Sequence, residues 1–479
     1  MIIGRKREIA ELLEQYEQNR ARLVAVYGRR RVGKTFLIDE ALKGKITFRH
    51  AGLSPVDSQG KANNMKKQLK NFHLSLKRQG LKEGTCPTSW LDAFFLLERH
   101  LESQDDGSRQ VVFFDEFPWM DTPRAGFLTA FESFWNGWAC HRDNLMVIVC
   151  GSASSWIQDK LINNHGGLYG RLSHEIKLSP FTLQETEEFF KSKGIVISRY
   201  DIVQSYMILG GIPYYLDYFL KEYSFGQNID RLFFGENPKL HDEFDRLFAS
   251  IFSNPEEMKK IIRVLAQNRG GYTRSVIAQK AKIPESGYFS KSLEALIASD
   301  FIEKYIPFGA GRKDAHYRLI DPFCRFHLQF IAGDTLSDPY FWTNNVASPR
   351  LNTWRGFAFE DVCLRHIDAI KRALGIGGVI SEQASWSIPA DGNQEGSQLD
   401  LIIKRKDNVV NLCEMKFYSE EFAVTSAYRA QIAHRINLLV EQFPPKYVVH
   451  STLVTTYGLR KNEYQDAFQQ CITMDDLFR

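Results

Sequence analysis

The segment that most constrains this chain is Gly28-Arg29-Arg30-Arg31-Val32-Gly33-Lys34-Thr35. It follows the apolar run Leu23 to Tyr27 and precedes a helical pattern from Phe36 to Leu42. It satisfies G-x-x-x-x-G-K-[ST] in the strand–loop–helix setting that this motif requires. Its glycines let the backbone wrap a phosphate chain, with N–H groups and a helix N-terminus directed inward. In such a loop Lys34 reaches the β- and γ-phosphates and Thr35 holds Mg²⁺. The expected cofactors are ATP and Mg²⁺, and the expected scaffold is a parallel α/β sheet.

At 479 residues the chain is too long for one hydrophobic core. We expect a multidomain α/β protein. Residues 1–180 would form a P-loop ATPase core, 181–250 a helical lid, 251–335 a winged helix, and 345–479 a second α/β domain. No apolar run reaches the length of a membrane span, and the first residues lack the apolar core of a signal peptide. Seven cysteines are scattered without a C-x-x-C pair. They read as reduced thiols in a cytoplasmic protein with no disulfide framework and no zinc site.

Val111-Val112-Phe113-Phe114-Asp115-Glu116 reads as an apolar strand ending in two acids. Beside a phosphate loop, Asp115 suits the organisation of Mg²⁺. Glu116 suits the carboxylate that orients or deprotonates the attacking water. A third strand, Met146 to Cys150, runs into Gly151-Ser152-Ala153-Ser154-Ser155, so Ser152 or Ser154 could sense the γ-phosphate. Arg171, in the turn Leu168-Tyr169-Gly170-Arg171, could stabilise the transferring phosphoryl group in cis or from a neighbouring subunit of a homo-oligomer.

Taken with Ile3-Gly4-Arg5 and Leu209-Gly210-Gly211-Ile212-Pro213, these motifs resemble the archaeal-ATPase group of prokaryotic AAA+-related ATPases. That group is similar to the signal-transduction ATPases with numerous domains (STAND). The resemblance covers roughly residues 1–250. It implies a five-stranded parallel core followed by a small helical domain, with Gly211 and Pro213 near the nucleotide base. One departure is that the helical part offers no clear second sensor arginine.

The charge is unevenly spread. Residues 257–320 carry 12 Lys/Arg against 6 Asp/Glu, whereas 341–479 carry 15 against 16. The basic segment reads as three helices, over Met258 to Gln267, Thr273 to Lys280 and Tyr288 to Ser299. Two strands follow, Phe301 to Tyr305 and His316 to Ile320. This is the order of a winged helix. Tyr288, Ser290 and Lys291 would face DNA, Arg312 and Lys313 would grip its backbone, and Leu293, Leu296 and Ile297 would be core. In similar ATPases such a domain serves instead as a nucleotide-state lever.

In the last domain Gly356 to Glu360 opens a helix. Gln398 to Ile403 and Val409 to Lys416 form a hairpin turning near Asp407, and a helix with Tyr428, Gln431 and His434 follows. Asp400 then lies opposite Glu414, with Cβ atoms about 5 Å apart. Lys416 shares the face of Glu414. Two carboxylates and a lysine in that arrangement suit a divalent cation and an activated water, with Glu360 as an accessory acid. The pattern resembles the PD-(D/E)XK nuclease fold over roughly 345–460. It implies metal binding by Asp400 and Glu414 and catalysis by Lys416, with Leu399 standing where many members have proline. A domain of this kind that has lost cleavage would serve for recognition instead.

Overall fold

The computed structural model describes residues 2–56, 61–163, 166–333, 338–388 and 397–479, without the side chains of Arg312, 385–388 and 397–400. The chain forms two compact units. The first comprises Met1–Pro180, Arg246–Pro255 and Ser290–Asp300; the second comprises Phe181–Asp245, Glu256–Phe289 and Phe301–Arg479.

The first unit is built on strands β1 (Arg22–Tyr27), β2 (Phe48–Ala51), β3 (Gln110–Asp115), β4 (Leu145–Gly151) and β5 (His174–Lys177), in the order β2-β3-β4-β1-β5. Every pairing is parallel. Near-continuous apolar sequence is what a strand covered on both faces requires. Leu23, Ala25 and Tyr27 of β1 enter one core with Phe48, Phe114 and Val147, while Val24 and Val26 enter another with Phe113, Ile148 and Cys150. The second core is closed by α1 (Lys6–Glu17) and α2 (Lys34–Ala41), which contribute Leu12 and Ile38, with Leu42 directly after α2.

The first core is closed by α3 (Met65–Arg78), α4 (Trp90–Ser103) and α5 (Phe127–Gly137). Asn64 and Ser89 start α3 and α4 as side-chain N-caps. Buried aromatic rings fill the interior, among them Trp90 and Phe127 edge to face at 4.7 Å. This rigid floor fixes the C-terminal ends of β1, β3 and β4, where the candidate site lies. The five-stranded parallel core implied by the family resemblance is therefore present.

The second unit is helical from Leu183 to Phe233, and its three longer helices there, Leu183–Ser192, Arg199–Leu209 and Phe225–Phe233, each open on a Ser or Thr cap. Helices Pro255–Ala266, Arg274–Ala281 and Gly287–Ala298 follow in sequence, the last crossing into residues 290–300 of the first unit. A small antiparallel sheet of β6 (Tyr272–Thr273), β7 (Ile302–Tyr305) and β8 (His316–Leu319) accompanies them in the order β6-β8-β7. Leu293 and Leu296 are buried and Ile297 is half-buried.

The C-terminal sheet runs β13-β12-β11-β10-β9, from β9 (Ser381–Ile388), β10 (Ser397–Arg405), β11 (Val409–Lys416), β12 (Val448–Thr455) and β13 (Gln470–Thr473). β10 and β11 pair antiparallel in the register Leu401↔Cys413 and Ile402↔Leu412, while β12 and β13 add in parallel. Helix Ser426–Val440 closes one face with Leu438 and Leu439 on Ile402, Val410 and Leu412. The helix expected to open at Gly356 begins seven residues earlier, at Pro349. Ser348 caps the Leu351 N–H, and proline at the first helical position lacks the donor that would be left over there.

Candidate functional site

The loop from Gly28 to Gly33 joins the end of β1 to the start of α2. Gly28 has φ +147°, and a Cβ there would sit 2.2 Å from the Leu178 carbonyl oxygen. Gly33, at φ 92°, is the left-handed residue that starts α2. We expect Gly28→Ala to cost about 1–3 kcal/mol through backbone strain alone. It should also weaken ATP binding at least tenfold, read from urea unfolding and nucleotide titration.

Five predicted residues converge at this loop. Lys34 Nζ donates to the carbonyls of Gly28 and Arg29, both at 3.0 Å, and lies 3.4 Å from Ser152 Oγ. Thr35 Oγ1 donates to Asp115 Oδ2 at 2.9 Å, so the hydroxyl and carboxylate expected to share a cation are adjacent. Glu116 accepts from the Ser152 N–H at 3.1 Å and from Ser152 Oγ at 2.7 Å. Its backbone is left-handed, with φ 45° and ψ 46°, a costly conformation for glutamate that recurs at functional sites. Of the two serines left open by the sequence, Ser152 is the one that touches both Lys34 and Glu116. Ser154 is fully buried at the start of the short helix that follows.

The arginines of the loop have separate surroundings. Arg29 is buried. Arg30 donates to the Ser250 carbonyl at 3.4 Å and lies over the Trp119 ring at 5.7 Å. Arg31 takes a left-handed φ of 74°. Val32 is buried, and its carbonyl accepts from Arg5 at 3.4 Å. Arg5, which closes the Ile3-Gly4-Arg5 segment, thereby braces the loop. Cys150, at the end of β4, has its thiol pushed well above the ordinary value by burial and by the charge of Asp115, so it stays neutral.

Two further predicted residues take no part in these hydrogen bonds among the described residues. Arg171 is exposed at the end of its turn and takes no part in the hydrogen bonds of Lys34, Thr35, Asp115 or Glu116. Pro213 starts the short helix Pro213–Leu216 in the second unit, and the nearby Gly211 carbonyl accepts from the Phe181 N–H at 2.8 Å.

In the C-terminal sheet Glu414 is buried, and both of its oxygens are engaged. Tyr428 Oη donates to one at 2.9 Å, and Lys416 Nζ lies 3.6 Å from the same oxygen. Arg435 binds the other. Burial and the Glu414 charge push the Tyr428 hydroxyl far up, so it remains a donor. Arg435 was absent from the sequence reading. Its signal was its position seven residues after Tyr428, on the same face of one helix.

The register Leu401↔Cys413 adjoins positions 400 and 414, but the Asp400 side chain lies outside the described residues. Glu360 pairs with Arg269 at 2.5 Å. Among the described residues no group of three or more His, Cys, Asp or Glu is placed to hold a metal ion. Nor is any helix there long and apolar enough to cross a membrane.

Comparison with known proteins locates the first of these sites in a family. Residues 2–219 match the family described as an ATPase domain predominantly from Archaea. An uncharacterized protein of Methanocaldococcus jannaschii, MJECL04, is 26% identical over 408 residues, 84% of each chain. An uncharacterized ATP-binding protein of the same organism, MJ0423, is 47% identical over 45 residues, 9% of this chain and 76% of that one. Among solved structures, the Walker-type ATPase PABY2304 of Pyrococcus abyssi superposes with a TM-score of 0.48 at 20% identity, over 68% of this chain and 96% of the other. With its phosphate loop, its acids at the end of β3 and its five-stranded parallel sheet, the chain carries over residues 2–219 a domain that matches the family of ATPase domains found predominantly in Archaea.

Proposed function

We propose that the chain is an ATP-driven switch acting on DNA. It would bind and hydrolyse MgATP at the end of β1 and couple the nucleotide to a winged helix spanning residues 251–335. The observation that carries the ATPase half is the convergence of Lys34, the Thr35–Asp115 pair and the Glu116–Ser152 pair at one loop. The Thr35 hydroxyl and the Asp115 carboxylate are hard oxygen donors and fit Mg²⁺. Bound there, the ion would neutralise charge on the phosphates. Lys34 would bind the phosphates, Glu116 would take a proton from the attacking water, and Ser152 would hold Glu116 in place. Arg171 is proposed to act on a neighbouring copy, and Pro213 to border the base.

Two contacts within the first unit support the coupling. Arg30 of the loop holds the Ser250 carbonyl, and Lys177 at the end of β5 pairs with Asp300 at 2.6 Å. A change in the loop would thereby be felt by residues 246–255 and 290–300, the latter forming the end of helix Gly287–Ala298. DNA binding is supported by the basic surplus of 257–320 and by the exposure of Tyr288, Lys291 and Lys313.

For residues 345–479 the capture of Glu414 by Arg435 and Tyr428 favours a second reading, a nuclease-like domain that recognises a partner without cutting. Cleavage assays with Mg²⁺ or Mn²⁺ decide between them. DNA cut by the native chain and left intact by Asp400→Ala establishes the nuclease; no cut under either metal establishes recognition. Lys34→Ala should lower ATP affinity at least 100-fold, because a charge-assisted contact to two phosphates is lost. Undiminished binding would remove the site assignment. DNA affinity should fall steeply with salt if phosphate contacts dominate.

A further inference from the structure

Helix α3 buries Leu69, Phe72 and Leu76 in the first core of its own unit and turns five cations, Lys66, Lys67, Lys70, Lys77 and Arg78, to the surface. The stretch that contains it, residues 61–82, carries seven Lys/Arg and no Asp or Glu. At 3.6 residues per turn Lys66, Lys70 and Lys77 fall within about 40° of arc and form a row about 17 Å long. Lys66, Lys70, Lys77 and Arg78 form no ion pair among the described residues.

The fold does not call for this pattern. Lys66 and Lys67 stand in the first turn, where the helix dipole favours acids, and no acid is present there. Lys66 and Lys70, four residues apart, repel each other along the helix. His73 of the same helix is held below its ordinary value, by burial first and then by Lys77. The amides on and beside the helix that could read base edges are committed to the chain itself. Gln68 donates to the Leu53 and Trp119 carbonyls at 2.9 and 2.8 Å, Asn71 to the Ala51 carbonyl at 2.9 Å and Gln79 to the Arg49 carbonyl at 2.8 Å. The exposed face therefore offers charge in a straight row and little else.

A row of cations without readers of bases fits a row of phosphates, a contact that positions a duplex and carries no sequence preference. Duplex DNA presents one negative charge per about 1.7 Å of its axis, roughly ten over the length of this row. A lipid surface fits less well. An interfacial helix sinks its apolar face into the acyl boundary, and that face of α3 is already buried in the core. Of its apolar residues only Leu74 is exposed. We propose that the exposed face of α3 is a second DNA-binding surface, which grips the backbone of a duplex without regard to sequence. The choice of DNA as the polyanion rests on the function proposed above, whereas the surface is distinct from the winged helix invoked there.

The test is fluorescence anisotropy of the full chain with a labelled duplex of about 30 base pairs, repeated between about 50 and 200 mM salt. Lys66→Gln, Lys70→Gln and Lys77→Gln combined should weaken binding about tenfold or more at the lower salt. The slope of log affinity against log salt should fall by about 2–3. Lys66→Arg, Lys70→Arg and Lys77→Arg combined should preserve both. The loss should be equal on a duplex of unrelated sequence, and the urea midpoint should not move, since the three side chains are exposed. Lys291→Gln with Lys313→Gln reports on the winged helix separately. Binding lost there and kept in the α3 Gln variant overturns the proposal and leaves the winged helix standing; the reverse keeps α3 and removes the winged helix. No duplex binding by the native chain, or affinity and slope unchanged in the α3 Gln variant, overturns the proposal. So does binding of phosphatidylserine vesicles in preference to the duplex, which would give this face to a membrane.

Discussion

Glu116→Gln should lower single-turnover ATP hydrolysis by about 10²–10³-fold while ATP affinity stays within about threefold. The carboxylate accepts from two donors of one residue, the Ser152 N–H at 3.1 Å and Oγ at 2.7 Å. An amide offers one oxygen to those two donors and cannot take a proton from water. The Lys34 and Thr35 contacts do not pass through Glu116, so binding should survive. Asp115→Asn makes the contrast: it weakens the partner of Thr35 and should raise the Mg²⁺ concentration needed for activity. Hydrolysis unchanged in Glu116→Gln would exclude it as the base.

Acid should destabilise the second unit by several kcal/mol, well before its carboxylates are fully protonated. Burial lowers His327 to about 4 and His366 to about 4. The unfolded chain takes up protons on these residues below the ordinary value near 6.5, while the folded chain does not. Stability is therefore complete above about pH 6.5 and is lost as pH falls toward the folded values. Each histidine contributes about 2–3 kcal/mol between pH 6.5 and about pH 4.5.

The cause is visible at His366, whose Nε2 accepts from the Leu183 N–H at 3.0 Å while Nδ1 donates to the Val362 carbonyl at 2.8 Å. Protonation would place a donor against the Leu183 donor at the first turn of a helix. Urea midpoints measured from neutral pH downward should fall steeply for the native chain and less steeply for His366→Gln. Equal slopes would exclude His366 as a cause. His50 in the first unit, lowered to about 3 by burial, should give that unit the same sign.

The residues legible in the sequence are those whose chemistry is local or set by strand ends. The phosphate loop and Asp115 could be placed because a strand terminus beside a glycine loop leaves few alternatives. Ser152 and Ser154 could not be separated, since a two-residue difference at a strand end is decided by the turn that follows. The capture of Glu414 was hidden because Arg435 and Tyr428 arrive from a helix after the hairpin, and nothing in E-x-K spacing reports what packs over it. Lys177 and Asp300 are 123 residues apart, with no local pattern joining them. Glu360 was read with the carboxylates, yet Arg269, 91 residues before it, holds it.

The first unit is assembled from three separate stretches of chain, ending at Asp300. During synthesis the sheet of β1 to β5 is available once residue 177 has emerged, yet this unit lacks its last piece for more than a hundred residues more. On a ribosome adding about 5–20 residues per second, that interval lasts roughly 6–25 seconds. The nascent ATPase core spends it unfinished, so maturation of the nucleotide site is timed by translation of the segment that follows it.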